Sequence, residues 1–193
     1  MLWTHTLAVT RNNATAQDNL ATALIDAGRD GEALLHFRNA TRIESNEPKA
    51  HLAVAALLAK HGDLSGAIAE YNAVLALTRD PEDLRAIYMS LGMAYRQSGD
   101  YGASADNFQK LARLDPTDTS AMMALGTVTL LQSAERMEKE LAAHPTAEGY
   151  RQLGQIWQQA GDDNRAQRAF AAAAALGATG TGQRSRPGRP AVN

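Results

Sequence analysis

An all-α solenoid of antiparallel helix pairs is predicted by three features of the sequence. A helix–glycine–helix pattern recurs along most of the chain, and small residues fall in the same place in each copy. The aromatic share is only 5% of 193 residues, so alanine and aliphatic side chains supply most of the 45% apolar content. A β-sandwich core draws on branched and aromatic residues, whereas alanine and leucine suit closely packed helices.

The copies align residue by residue. Asn19 to Arg29, Ser90 to Asp100 and Gln152 to Asp162 each carry Leu, then a small residue, then a large apolar residue, then Gly at a turn; His51 to Asp63 is a fourth copy. The stretch after each Gly also repeats: Ala33, Phe37, Ala40 and Ile43; Ala67, Tyr71, Val74 and Leu77; Ser104, Phe108, Leu111 and Leu114; Ala166, Phe170, Ala173 and Leu176. Spacings of three and four residues mark one face of a helix. Ala21, Ala55, Gly92, Gly126 and Gly154 are expected to let the first helix of a unit approach the second, with the aromatic residue filling the space beyond. The turn glycines suit a left-handed backbone that other residues avoid. Asp63, Asp100 and Asp162 come directly after three of them and favour the start of the next helix. Pro48, Pro81, Pro116 and Pro145 fall between units, where a missing N–H costs little.

In pattern and period these copies resemble the tetratricopeptide repeat, from Leu2 to Leu176. The resemblance implies about eleven helices in a right-handed superhelix. Units begin at Ala14, Pro48, Arg85, Thr119 and Ala147. The step to Arg85 is longer than the first, so Arg79 to Asp83 is expected to extend the turn or the start of the next helix. The fourth unit is degenerate: no Gly turn comes after Gln132, and a short second helix is expected over Ala134 to Ala143. Leu2 to Asn13, with Trp3, Leu7 and Val9, fits the second helix of a truncated repeat, which points to a larger protein, since a repeat cannot bury its apolar face alone. Residues 177–193 are rich in Gly, Pro, Ser and Thr and are read as a disordered tail.

Composition excludes several functions. A formal net charge of −2 gives no platform for nucleic acid. With no cysteine, disulfides, thiolate metal sites and cysteine nucleophiles are excluded. His5, His36, His51, His61 and His144 are dispersed without metal-ligand spacing, and His51 is expected to be a satisfied or solvated side chain. Glu138/Glu140 and Asp162/Asp163 read as solvated helix or turn residues. No phosphate-cradling loop is present, since no strand precedes Gly177 to Gly182. The chain is expected to be no enzyme, to need no cofactor or metal, and to have no membrane-inserting segment; nothing in it sets an oligomeric state.

The function implied by the resemblance is binding of a partner protein or peptide in a concave groove lined by first helices. The inward positions include Asn19, Lys49, Leu52, Ala56, Met89, Met93, Arg96, Met123 and Arg151. They make an apolar wall of Leu52, Met89, Met93 and Met123 with Lys49, Lys60, Arg96 and Arg151 beside it, favouring a ligand with acidic residues next to apolar anchors. The competing reading places the same methionines in the core between helices. The Lys/Asn carboxylate clamp of chaperone-tail adaptors is missing, with Asp18, Thr22, Ala53, Ala86 and Ser90 in its slots. Of the asparagine ladder of sugar-transferase arrays only Asn19 remains. Leu2 to Asn13 is also similar to the entry into the C-terminal repeat domain of bacterial membrane proteins whose N-terminal part resembles protein mannosyltransferases. That similarity implies an array presenting acceptor protein to a membrane glycosyltransferase, facing the periplasm; the alternative is a cytoplasmic scaffold.

Overall fold

The computed structural model describes residues 13–182, with side chains as far as Ala178. Among these residues there are nine helices and no strand. They are α1 (Ala14–Asp26), α2 (Asp30–Ile43), α3 (Pro48–Lys60), α4 (Leu64–Leu77), α5 (Pro81–Ser98), α6 (Tyr101–Leu114), α7 (Thr119–Ala143), α8 (Ala147–Gln159) and α9 (Asp163–Gly182). The truncated repeat expected over residues 2–13 lies, apart from Asn13, outside the described residues.

Local chemistry starts several of the helices at residues that the sequence marks. Pro48 and Pro81 open α3 and α5, where an N–H has no helical partner to lose. Carboxylates cap three of the four helices that come after a turn glycine: Asp63, Asp100 and Asp162 accept from the amides of Gly66, Ala103 and Arg165, each at 2.9 Å, while α2, after Gly28, has no side-chain cap. Gly28, Gly62, Gly99 and Gly161 have φ of 72–85° and are the only residues described with positive φ. A side chain there would be strained by its own backbone.

The chain divides into two compact units at Met122/Met123. In the first, α1 packs on α2, α3 on α4 and α5 on α6, and α2 on α3 and α4 on α5 join the pairs. Ala21, Leu24, Ala33, Phe37, Val54, Ala55, Ala67, Tyr71, Val74, Ile87 and Leu91 lie in one continuous core. In the second unit α8 packs on α9, and Ala134, Leu141, Leu153, Trp157, Ala166 and Ala169 form the core.

The close-approach contact is present wherever two helices of a unit face each other. A methyl group added at Gly92 would lie 2.6 Å from the Phe108 ring, and one at Gly154 2.5 Å from Phe170. Ala21 and Ala55, in the same slot opposite Phe37 and Tyr71, are fully buried. On the second helices Ala33, Ala67, Ser104 and Ala166 hold the matching small position, and all are buried. Ser104 keeps its hydroxyl there by donating to the Gly92 carbonyl at 2.6 Å, so a buried polar group is satisfied.

Two expectations are corrected, and one is narrowed. Of the two readings of Arg79 to Asp83, it is the helix that is extended: α5 starts at Pro81, where Asp80 caps it through the amides of Glu82 and Asp83 and buried Thr78 donates to the Asp83 carboxylate at 2.8 Å. The packing register still counts from Arg85, since Gly92 meets Phe108. The fourth unit has no second helix: α7 continues unbroken from Thr119 to Ala143, so nine helices stand among the described residues where about eleven were expected for the whole chain. Without a glycine after Gln132 nothing ends the helix, and Thr127, Thr129 and Ser133 donate back to carbonyls one turn earlier. Gly126 therefore has no ring against it; a methyl group there would meet nothing within 4 Å. Finally, α9 continues past Gly177 to Gly182, because the alanine run before Gly177 has the highest helix propensity of any side chain and a single glycine does not end it.

The same substitution should therefore change stability in opposite directions. Gly92→Ala and Gly154→Ala force a ring to move and are expected to cost about 1–3 kcal/mol. Gly126→Ala removes a flexible residue from an open helical position and should gain about 0.5–1 kcal/mol. Urea midpoints of the three variants check the register.

Candidate partner-binding groove

In the first unit the exposed faces of the first helices carry seven of the nine expected binding residues. On α1, Asn19 is exposed. On α3, Lys49 and Ala56 are exposed, while Leu52 is half-buried against the core. On α5, Met89 is half-buried, Met93 is 46% exposed one turn further on, and Arg96 is exposed. Met123, 72% exposed on α7, and Arg151, exposed on α8, belong to the second unit and are not grouped with the others. Met89 and Met93 are thus not both buried between helices. The contacts that bury each helix pair are made by Val54, Ala55, Leu58, Leu91 and Gly92 instead.

The charges beside this face differ from the expected set. Lys60 is not free: its ammonium lies 2.5 Å from Asp30, tying the end of α3 to the start of α2, and His61 stands 3.4 Å from the same oxygen. The hydrogen bond from Lys60 holds the Asp30 carboxyl below its ordinary range. Arg151 is engaged by Glu148 one turn earlier on α8. That leaves Lys49 and Arg96 as the cations beside Leu52, Met89 and Met93 that make no ion pair among the described residues.

Asp18 stands on α1 next to Asn19 and carries the unsatisfied polar atom of the described structure: its Oδ1 is buried and has no hydrogen-bond partner. Burial pushes its pKa up, the Glu47 carboxylate adds to the rise, Lys49 opposes it and Glu44 contributes last. The Thr22 hydroxyl is spent on the Asp18 carbonyl at 2.9 Å, so neither clamp position offers a free donor.

Several polar contacts were not legible in the repeat pattern. His51 is satisfied, as expected, but by named partners: Nδ1 lies 2.6 Å from Glu70 and Nε2 3.2 Å from the Ser45 carbonyl. His36 Nδ1 lies 2.7 Å from Gln17 Oε1, at the same sequence offset as His51 from Glu70, so the two pairs brace equivalent places in successive units. In the second unit the indole N–H of Trp157, itself buried, donates to Glu138 at 3.1 Å, and the Arg165 guanidinium stacks on the ring at 4.5 Å. Glu138 is therefore more than a solvated helix residue. These groups, with Tyr150, Leu153, Arg168 and Ala169, border a cleft of about 270 Å³. Among the described residues no group of three or more His, Cys, Asp or Glu side chains could hold a metal ion, and no helix is long and apolar enough to cross a membrane.

Asp18 sets a pH dependence whose sign is fixed by the raised pKa. The fold favours the neutral carboxyl, so its contribution is fully present below the ordinary carboxylate range and is lost as pH rises through the raised value. Asp18→Asn should raise the urea midpoint at neutral pH, with the gain fading toward about pH 3. A difference that does not vary with pH would contradict this.

Residues 86–118, covering most of α5 and all of α6, match the tetratricopeptide-repeat family model. No curated protein matches the chain significantly. Among solved structures, YrrB, described as a tetratricopeptide-repeat protein with an unusual peptide-binding site, is similar at TM-score 0.58 and 14% identity, over 91% of this chain and 92% of that one. MamA from Desulfovibrio magneticus RS-1 is similar at 0.57 and 21%, over 86% and 96%. A tetratricopeptide-repeat protein from Parabacteroides merdae is similar at 0.56 and 19%, over 91% and 70%. The fold of this chain is that of tetratricopeptide-repeat proteins, and α5–α6 carries the repeat in a form its sequence model matches.

Proposed function

We propose that the chain is a protein-interaction module that binds a segment of a partner polypeptide along the exposed face of α1, α3 and α5. The observation that carries this reading is the position of Met93, nearly half exposed, one turn from Met89 and on the helix next to Leu52 in the repeat order. Thioether side chains are polarizable and flexible, which suits a surface that accepts more than one sequence. A bound segment would cover a few hundred Å² of this apolar strip, roughly the size of the largest apolar patch on an ordinary monomer. Lys49 and Arg96, lacking ion pairs among the described residues, favour an acidic residue beside the apolar anchors of the partner. The peptide-binding site described for YrrB, which shares the fold, agrees with this use of it.

A narrower reading, in which the array presents acceptor protein to a membrane glycosyltransferase, rests on the similarity of Leu2 to Asn13 alone. A run of membrane spans encoded ahead of Leu2 would support it, and a soluble upstream sequence would remove it.

The groove is tested by Met89→Ser with Met93→Ser. Both side chains contact solvent, so the double variant should keep its helical signal and lose at most about 1–2 kcal/mol of stability. With wild type and variant as parallel baits, proteins held by the first should be lost by the second. Equal retention would sink the groove assignment, and a collapse of the fold would move the methionines into the core.

A further inference from the structure

The cleft beside Trp157, which lies within the second unit, carries two cations that the repeat frame does not call for. Its floor comes from α8, where Leu153 and Trp157 are buried and Tyr150, one turn earlier, is half-buried. Its basic wall comes from α9, where Arg165 and Arg168 stand three residues apart and so share a face of the helix. Counted from the unit starts at Ala14, Pro48, Arg85 and Ala147, the position of Arg165 is held elsewhere by Glu32, Gly66 and Ala103. That of Arg168 is held by Leu35, Ala69 and Asp106. Arg165 is fixed in place: its guanidinium stacks on the Trp157 ring, its Nε lies 3.3 Å from one oxygen of Asp162, and its amide donates to the other. These contacts use its ring-facing surface and Nε, and its two terminal nitrogens have no partner among the described residues. Arg168 makes no ion pair and no hydrogen bond among the described residues.

We propose that this cleft docks one acidic side chain of a partner polypeptide, with its carboxylate on Arg168 and the terminal nitrogens of Arg165 and its methylene stem on the apolar floor. Size argues for a single side chain: about 270 Å³ falls below the roughly 300–1,000 Å³ of sites that enclose small molecules. Charge argues for an acid. Asp162 balances Arg165, whereas Arg168 is left without a counter-charge. Glu138, on α7, spends one oxygen on the buried indole N–H, and its charge confines an incoming carboxylate to the α9 wall. The planar guanidinium matches a carboxylate with two parallel hydrogen bonds, and an arginine already held by a ring and an ion pair loses little freedom on binding. The site belongs to the second unit and does not rest on the groove of α1, α3 and α5, so either can fail alone.

The probe is blocked glutamate, N-acetyl-glutamate amide, titrated into the full chain and followed by nuclear magnetic resonance. The chain has two tryptophans, so the indole N–H signal that survives in Trp3→Phe is that of Trp157. This signal should shift saturably, with a dissociation constant of about 1–10 mM for so small a ligand. Blocked glutamine, which lacks the charge, and acetate, which lacks the stem, should each bind about tenfold more weakly or less at matched ionic strength. Arg168 is exposed, so Arg168→Gln should keep the helical signal of the wild type while weakening blocked glutamate about tenfold. The absence of a saturable shift, an equal response to blocked glutamine or acetate, or binding indifferent to Arg168→Gln would each overturn the proposal. So would inorganic phosphate binding more tightly than blocked glutamate, which would give the two arginines to a phosphoryl group instead.

Discussion

Each helix pair depends on the contact between a position with almost no side chain on the first helix and an aromatic ring from the second. At Gly92 and Gly154 the ring lies where a methyl group would be, and at Ala21 and Ala55 a single methyl is accommodated opposite Phe37 and Tyr71. Close approach lets dispersion act over the whole length of both helices, with each atom contact small and the sum large. The left-handed glycines and the aspartate caps then set the length of each helix so that the contact recurs in register. Where no glycine ends the first helix, as after Gln132, one helix runs on, and Gly126 has no ring against it.

That contact also determines what the first helices leave exposed. Burying the small-residue side of α3 and α5 leaves Ala56, Met93 and Arg96 exposed, because residues three and four apart share a face and the intervening ones do not. Leu52 and Met89 are half-buried there, and Leu52 also packs on the core. Ion pairs such as Lys60–Asp30 and Arg85 with Asp115 and Asp118 join successive elements.

The repeat pattern made the helix pairs, their turns and their small-residue slots legible, because each depends on residues close in sequence and recurs. Asp63, Asp100 and Asp162 could be assigned as helix starts for the same reason. Other features depend on geometry that spacing alone does not encode. The helix start at Pro81 required a cap at Asp80 to be weighed against the repeat period, and the unbroken α7 was signalled only by the missing glycine after Gln132. The loss of Lys60 and Arg151 as free cations rests on side-chain partners, Asp30 and Glu148, and the first of these lies on another helix. Asp18 gave no sign in the sequence of its buried, unpartnered oxygen, nor of the raised pKa that burial, Glu47 and Glu44 give it.

The dependence of a helix pair on its close contact is measured most directly by a double-mutant cycle at Gly92 and Phe108. Gly92→Ala and Phe108→Leu each destabilise alone, by crowding the contact and by emptying it. If the methyl group and the ring compete for one space, the methyl is tolerated once the ring is trimmed, and the double variant should be more stable than the sum of the single effects by at least about 0.5 kcal/mol. Additive losses would mean that Gly92 and Phe108 act independently, and the contact on which the account of the fold rests would be contradicted.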